Sequence, residues 1–334
     1  MFTILALGIA ALASASPAYV PPSYPPPNHC LGNCWTHDPG MIQRELDGMY
    51  FRFSTGTGIN TMVSPSLDGP WDDLGAALPD GSVIKLDGAD SMDPWAPDVH
   101  YSDGIYYMYY VVSKIGTQTS QVGVATSTTM EPGSWTDHGE IGLPPNNNYN
   151  RIDPNWITID GKEYLQFGSY WNDLYQVEMA SPLNVGSATP HQLAFNASLN
   201  HREEASFMFQ HGDYYYLLYS GGLANGYTAT YPAQGEEYRI HMCRSTSGTG
   251  DFYDMSGTSC LNSGGTILLQ SHEKIYAPGG QGVLNDKELG PVLYYQYYPL
   301  ETKEAGGDGD AGFRYGWNQL GWSEDGWPYL MTEL

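Results

Sequence analysis

The sequence predicts an all-β chain folded as a five-bladed β-propeller. Three observations carry that expectation. Helical periodicity is nearly absent, and most segments are short Tyr-, Val- and Ile-rich runs broken by Gly, Asp, Asn or Pro. A unit of strand, Gly-containing tight turn and aromatic-rich second strand recurs five times. A short motif carrying an acid or a proline precedes each of those turns.

From the amino terminus, Ile4 to Ala13 form an apolar run that ends in the small-x-small triplet Ala13-Ser14-Ala15. Residues 1–15 therefore read as a signal peptide of a secreted, extracellular protein, although no Lys or Arg precedes the run. The run is too short to span a bilayer, which takes about 20 residues. Residues 16–29 form a Pro-rich segment expected to be extended and loosely attached, and residues 30–334 form the propeller. The even cysteine count favours disulfides, with local pairing as Cys30–Cys34 and Cys243–Cys260. A zinc site is the weaker alternative, because no His/Cys cluster surrounds either pair. Asn196-Ala197-Ser198 is a glycosylation sequon and reads as a surface loop.

The recurring turns are Asp47-Gly48, Asp103-Gly104, Asp160-Gly161, His211-Gly212 and Leu289-Gly290. Asp-Gly between apolar runs is a strong hairpin signal. The turn glycines lie 56, 57, 51 and 78 residues apart. Several strands per repeat of about 50 residues indicate propeller blades. The competing reading is a sandwich with coincidental hairpins.

The chain carries 13 Lys+Arg against 37 Asp+Glu, a net charge of -24. That balance excludes nucleic acid and disfavours anionic membranes and polyanionic substrates. With 27 Tyr and 9 Trp, the composition suits neutral ligands with flat apolar faces, such as sugars. A compact monomer is the simplest expectation.

Before the turns stand His37-Asp38-Pro39, Trp95-Ala96-Pro97-Asp98, Ile152-Asp153-Pro154, Glu203-Glu204-Ala205 and Ala277-Pro278-Gly279-Gly280. Counted back from the turn glycines, Asp38, Asp98, Asp153 and Glu204 fall at comparable points, 10, 6, 8 and 8 residues away. In a propeller these points converge on the axis. Converging carboxylates push their pKa values apart, as glycoside hydrolysis requires of its acid and its base. Asp98 also reads as a turn or strand-end residue. Calcium is the other use of clustered carboxylates, but no EF-hand-like loop supports it.

The series His37-Asp38-Pro39, Trp95-Ala96-Pro97-Asp98-Val99, Arg151-Ile152-Asp153-Pro154-Asn155, Phe167-Gly168-Ser169-Tyr170-Trp171 and Glu204-Ala205-Ser206-Phe207 resembles glycoside hydrolase family 43, in its endo-1,5-α-L-arabinanase branch. The resemblance runs from about His37 to Trp327. It implies a five-bladed propeller that cuts α-1,5-linked arabinan, the neutral side chain of pectin, with inversion. It makes Asp38 the general base, Glu204 the general acid and Asp153 the modulator of that acid's pKa. Period-2 alternation sends Glu203 to the opposite face, where it reads as structural. Substrate contacts would come from Asp38, Gly116, Asn150, Arg151, Ile152, Asp153, Ser169, Tyr170 and Trp171. Trp95 and Trp171 are candidate stacking platforms, or else core residues.

Many members of the family place a His in the fifth-blade Gly-rich segment, where it helps to hold a metal or water cluster. Here Pro278-Gly279-Gly280-Gln281-Gly282 has none, which puts a calcium requirement in doubt, and no cofactor is expected. Short inter-blade loops and the absence of an appended domain favour endo action on linear arabinan. The alternatives are an exo-acting arabinofuranosidase or β-xylosidase of the same family, and a non-catalytic carbohydrate-binding propeller.

Overall fold

Each recurring turn joins the first and second strands of a four-stranded antiparallel sheet. In the Asp103-Gly104 and Asp160-Gly161 turns both residues have positive φ (50° and 85°, 49° and 77°), the two-residue geometry that matches strand twist. The computed structural model describes residues 24–198, 200–224, 227, 231–304 and 309–332. The expected signal peptide, residues 1–15, lies outside them, as does the first part of the Pro-rich segment.

Five such sheets follow one another. Blade 1 is β1 (Gly40–Gln43), β2 (Tyr50–Ser54), β3 (Asn60–Ser64) and β4 (Asp72–Ala76). Blade 2 is β5 (Trp95–Ser102), β6 (Ile105–Ser113), β7 (Ser120–Ser127) and β8 (Thr136–Glu140). Blade 3 is β9 (Asn155–Ile159), β10 (Lys162–Phe167), β11 (Leu174–Glu178) and β12 (His191–Ala194). Blade 4 is β13 (Glu203–His211), β14 (Tyr214–Gly221), β15 (Arg239–Ser245) and β16 (Thr266–Leu269). Blade 5 is β17 (Ile275–Asp286), β18 (Gly290–Pro299), β19 (Arg314–Trp322) and β20 (Pro328–Leu330). Within each blade the strands pair in chain order. The first strands touch one another in a closed cycle, β1 against β5, β5 against β9, β9 against β13, β13 against β17, and β17 against β1. The fold is the five-bladed propeller that the repeat predicts, and the first strands line its axis.

Burial explains the sequence of each strand type. Second strands such as β6 (IYYMYYVVS) and β14 (YYYLLYSG) are covered on both faces by neighbouring blades and read as continuous apolar runs. Outer strands are short and carry charge, as in β4 (DDLGA) and β8 (TDHGE), which blunts their open edges. One apolar core fills each seam between blades. Phe51 and Phe53 meet Met108 and Tyr110 between blades 1 and 2, and Tyr109 and Val111 meet Leu165 and Phe167 between blades 2 and 3. Met41 and Tyr50 meet Leu284 and Tyr294 across the seam between blades 5 and 1.

That last seam has no shared strand, because blade 5 takes all its strands from residues 275–330 and blade 1 from residues 40–76. Residues 24–35 lace it instead. Asn318 Nδ2 donates to Pro26 O (2.9 Å), Asn28 N to Trp317 O (3.0 Å), and Tyr315 N to Cys34 O (2.8 Å), all on blade 5. Leu31 N donates to Asp68 O (2.7 Å), and Leu31 O accepts from Trp71 N (2.9 Å), on blade 1. From residue 24 onward the segment is thus fastened, contrary to the expected loose attachment. Its Pro residues are extended, and their carbonyls remain free to accept. A disulfide joins Cys30 to Cys34 within this lace, and another joins Cys243 to Cys260 in blade 4.

Arg52 locks the lace. Its side chain is fully buried, donating to Asn33 O (2.7 Å) and Trp35 O (3.2 Å). Its guanidinium lies 4.6 Å from the Trp71 ring centroid and 4.7 Å from that of Tyr315. Burial lowers its pKa to about 10, so it stays charged at neutral pH. The planar guanidinium suits this double stacking better than an ammonium. Arg52→Ala leaves a cavity and two orphaned carbonyls, and we expect it to cost about 3–5 kcal/mol. The urea unfolding midpoint measures this. Arg52→Met, which keeps the volume without the charge, should lose less.

Candidate active site

At the axial opening of each first strand, one residue that is not glycine adopts a left-handed backbone. These residues are Asp38 (φ 47°), Ala96 (45°), Asp153 (56°), Ala205 (52°) and Ala277 (51°). Each is followed by Pro or, in blade 4, Ser. Such a conformation costs on the order of 1–3 kcal/mol and persists only where the surroundings impose it. The strand register slips at these points, between Trp95 and Asp98, Glu204 and Phe207, and Tyr276 and Gly279.

This repeat corrects the counting made from the turns. Asp38 and Asp153 occupy the equivalent left-handed position, Glu204 precedes it by one residue, and Asp98 follows it by two. Distance from a turn glycine misaligns them because the bulges and hairpins differ in length. Asp98 lies within β5, buried, where its Oδ2 accepts from His100 Nε2 (2.6 Å), Trp156 N (2.9 Å) and Asn155 Nδ2 (3.2 Å). It joins blade 2 to blade 3 and does not belong with the coupled acids.

Those acids are Asp38, Asp153 and Glu204. Thr55 Oγ1 donates to Asp38 Oδ2 (2.8 Å), and Gln296 Oε1 accepts from Asp38 N. Ala205 N donates to Asp153 Oδ2 (2.9 Å). Ser169 Oγ donates to Glu204 Oε2 (2.5 Å), and Tyr238 OH to Glu204 Oε1 (3.0 Å). Burial holds the Asp153 carboxyl well above the usual carboxylate range, and the charges of Glu204 and Asp38 add to it. Glu204 is also raised by burial, with the Ser169 and Tyr238 hydrogen bonds opposing and Asp38 adding. No Lys or Arg bonds to the three acids among the described residues. Asp153 and Glu204 therefore hold protons at pH values where free carboxylic acids have lost theirs. Asp38 and Asp153 also line an axial pocket of about 40 Å3, room for a few waters.

Ser169 reaches this centre through its bond to Glu204, and Tyr170 lies beside it. Burial, with the charge of Glu204 adding, pushes the Tyr170 hydroxyl up to about 12. Trp171 is half-buried in the same loop, with φ 52°. Gly116, Asn150 and Arg151 belong to a neighbouring patch. Ser120 Oγ donates to Asn150 Oδ1 (2.6 Å) and accepts from Arg151 N (3.1 Å), which ties both to the turn carrying Gly116. Arg151 lines a surface hollow of about 670 Å3 with Gln118 and Asn146–Asn148. Asn172 N donates to Asn148 O (3.0 Å), joining that patch to the Ser169–Trp171 loop. Ile152 is buried and offers its carbonyl to Gly168 N (2.9 Å). Trp95 is half-buried against the core between blades 2 and 3. Asn196 is half-buried, and its Nδ2 donates to Glu203 Oε1 (2.8 Å).

Sequence reasoning missed Thr55, Tyr238 and Gln296, and it gave no role to His37. The His37 ring stacks on Phe313 (5.1 Å, 7°), and its Nε2 lies 3.9 Å from Asp38 Oδ1. Tyr238 and Phe313 stand at the ends of the 222–238 and 300–313 connections, and both residues lie beside the acids, Tyr238 on Glu204 and Phe313 on His37. Residues 77–94 between blades 1 and 2 are longer than the short inter-blade loops expected, and 222–238 and 300–313 are long connections within blades 4 and 5. The 78-residue spacing of the last two turn glycines was the one signal of such an insertion. Gln281, the one polar side chain of the fifth-blade Gly-rich segment, is already engaged. Its Oε1 accepts from Ser220 Oγ (2.7 Å), and its Nε2 donates to Ala205 O (2.7 Å). Among the described residues no three of His, Cys, Asp and Glu are grouped as a metal would need. With Gln281 so engaged, this segment does not fit a tightly held cation.

A propeller that gathers three acids at its axial opening, two of them held above the ordinary carboxylate range, carries the groups that acid/base hydrolysis needs. Comparison with known proteins narrows that chemistry. Residues 31–328 match glycosyl hydrolases family 43. A protein of Aspergillus fumigatus named "Probable arabinan endo-1,5-alpha-L-arabinosidase C" is 57% identical over 302 residues, which cover 90% of this chain and 92% of that one. The endo-arabinanase of Bacillus licheniformis superposes with a TM-score of 0.75 at 28% identity, covering 90% and 99% of the two chains. An exo-1,5-α-L-arabinanase from a bovine ruminal metagenomic library superposes with a TM-score of 0.74 at 25% identity, covering 89% and 96%. The chain belongs to glycosyl hydrolase family 43 and is a glycosidase.

Tyr238→Phe removes one donor from the Glu204 anion. We expect the Glu204 carboxyl to keep its proton to a pH about one unit higher, since such a bond contributes about 1.5 kcal/mol. A carbon-13 NMR titration of the Glu204 carboxyl in the wild type and the variant measures the shift.

Proposed function

We propose that the protein is a secreted endo-1,5-α-L-arabinanase that cuts linear arabinan, the neutral side chain of pectin, with inversion at the anomeric carbon. The observation that carries this reading is the trio of Asp38, Asp153 and Glu204 at the axial opening, with Asp38 and Asp153 on the axial pocket and Glu204 beside Ala205, which donates to Asp153. In the proposed reaction Glu204 protonates the leaving oxygen, and Asp38, oriented by Thr55, takes a proton from the attacking water. Asp153 shares the proton economy of Glu204 and sets when that acid is charged. Tyr238 and Ser169 fix its orientation. The patch from Asn146 to Arg151, joined to the Ser169–Trp171 loop, extends the site outward as a polymer substrate requires. The name of the 57%-identical relative supports the endo reading. The apolar leader and two disulfides support export to an oxidising compartment. A monomer is the proposed state.

Asp38→Ala and Glu204→Ala should each lower kcat by about 10²–10⁴-fold with folding intact, because a positioned acid or base contributes about that much. Asp153→Asn should be severe as well. The decisive assay is product analysis on linear arabinan and on an aryl arabinofuranoside, with proton NMR of the first-formed anomer. Mixed oligosaccharides of inverted configuration, with little action on the aryl glycoside, are expected. Release of a single short product from one chain end would favour exo action, and retained configuration would overturn the proposed roles.

Gln281 is engaged by Ser220 and Ala205, so dialysis against EDTA should leave both the arabinan assay and the melting curve largely unchanged. A loss that calcium alone restores would overturn this expectation.

A further inference from the structure

Behind the proposed catalytic acid lies a second buried acid pair that the reaction does not use. Asp173 is fully buried and Glu203 nearly so. Asn196 bridges them: its backbone N–H donates to Asp173 Oδ2 (2.7 Å), and its Nδ2 donates to Glu203 Oε1 (2.8 Å). The other oxygen of each carboxyl, Asp173 Oδ1 and Glu203 Oε2, is buried with no partner.

The backbones of the same two residues clamp Tyr170. Tyr170 N donates to Glu203 O (3.1 Å), and Asp173 N donates to Tyr170 O (2.7 Å). Between them the loop is strained, with Tyr170 (φ 54°), Trp171 (52°) and Asp173 (59°) all left-handed without being glycine. A loop of this kind stays in place only while its surroundings hold it. Its first residue, Ser169, donates to Glu204.

We propose that Glu203 and Asp173 are positioning residues, an Asn196-bridged acid pair that holds the Ser169–Trp171 loop against Glu204 while uncharged and releases it when both are ionised. The inference rests on the reading of Glu204 as the catalytic acid. Two buried anions bridged by one asparagine would repel, since the charge of Asp173 acts on Glu203 and little around them compensates. From the 195–202 segment, His201 Nδ1 lies 3.9 Å from Asp173 Oδ2. From β14, Tyr219 faces both acids, together with Asp254. Tyr175 on β11 faces Asp173. His241 on β15 stacks on Tyr219, and burial lowers its pKa to about 4, so it supplies no charge at neutral pH. The nearest arginines are directed elsewhere, Arg202 to Glu236 (4.0 Å) and Arg239 to Gly235 O.

Burial, with the charge of Asp173 adding, raises Glu203 to about 8, and burial raises Asp173 to about 7. Both folded-state values lie above those of the unfolded chain. The folded protein therefore binds the extra protons, and its stability falls as pH rises from the ordinary carboxylate range through about 7–8.

Two measurements on Glu203→Gln, Asp173→Asn and Glu203→Ala test the proposal. The first is the melting midpoint between pH 5 and pH 9, which needs no substrate. Wild type should lose several degrees more across that range than Glu203→Gln or Asp173→Asn. The second is the pH profile of kcat and KM on arabino-oligosaccharides. Glu203→Ala should lower kcat by about 10- to 100-fold through misplacement of the acid, with a smaller rise in KM from the displaced loop. Glu203→Gln should recover most of that loss and carry the alkaline limb to higher pH. The same melting slope in wild type and both isosteric variants would overturn the proposal, as would an alkaline limb unmoved by Glu203→Gln. If Glu203→Ala does not fold, the two isosteric variants carry both measurements. Absence of arabinan hydrolysis by wild type would instead overturn the function, and the melting comparison would still stand.

Discussion

A closed ring of hydrogen bonds around the axis holds the five blades in one arrangement. Thr55 of blade 1 accepts from Ala96 of blade 2, and Asp98 of blade 2 accepts from Trp156 and Asn155 of blade 3. Asn155 accepts from Met208 of blade 4, and Ala205 of blade 4 accepts from Gln281 of blade 5. Gln296 of blade 5 accepts from Asp38 of blade 1 and completes the circuit. The first strands expose backbone groups along the axis, and bulges leave some of these without ladder partners. Each side chain of the ring satisfies a neighbour's backbone. The apolar seams set how tightly the blades pack, and the ring sets how they are rotated about the centre.

The ring also explains how mutually repelling acids can be held in one place. Five left-handed residues crown the axis, and only two of them are aspartates; three are alanines, so the strain belongs to the fold and the charge to the function. Asp153 is anchored by the strained residue of the next blade, Ala205. Asp38 is anchored through Thr55, which in turn binds the strained Ala96. The geometry that costs backbone energy thus supplies the donors that fix the carboxylates. Burial raises the pKa values of Asp153 and Glu204, and two hydrogen bonds moderate the rise at Glu204.

The blade count, the hairpins and the acids were legible in the sequence because each rests on a short-range pattern. A turn that needs Gly48, Gly104 or Gly161 writes that need into adjacent residues, and Asp38-Pro39 and Asp153-Pro154 share one local conformation. Asp98 was misaligned because counting residues ignores bulges. Tyr238, Thr55 and Gln296 were invisible for a different reason. Each reaches the site from another strand or connection, and nothing in its own neighbourhood marks it. The fastening of residues 24–29 was hidden likewise, since its partners Trp317 and Asn318 stand nearly three hundred residues away.

That fastening has a consequence for the order of events in folding. The residues that seal the ring are made early, and the surface that receives them, around Tyr315 and Trp317, is made last. Blades 1 to 4 can each form from sequence-local hairpins while the chain emerges, but the seal joins contacts of very large sequence separation. Closing so long a loop is slow relative to local pairing and is rewarded only at the end. Until then the flank of blade 1 that bears Met41, Tyr50 and Trp71 stays uncovered, an open apolar edge on an otherwise finished particle. The interval before closure is when this protein is most exposed to aggregation, and Arg52, a buried cation awaiting two carbonyls and a second aromatic face, marks its end.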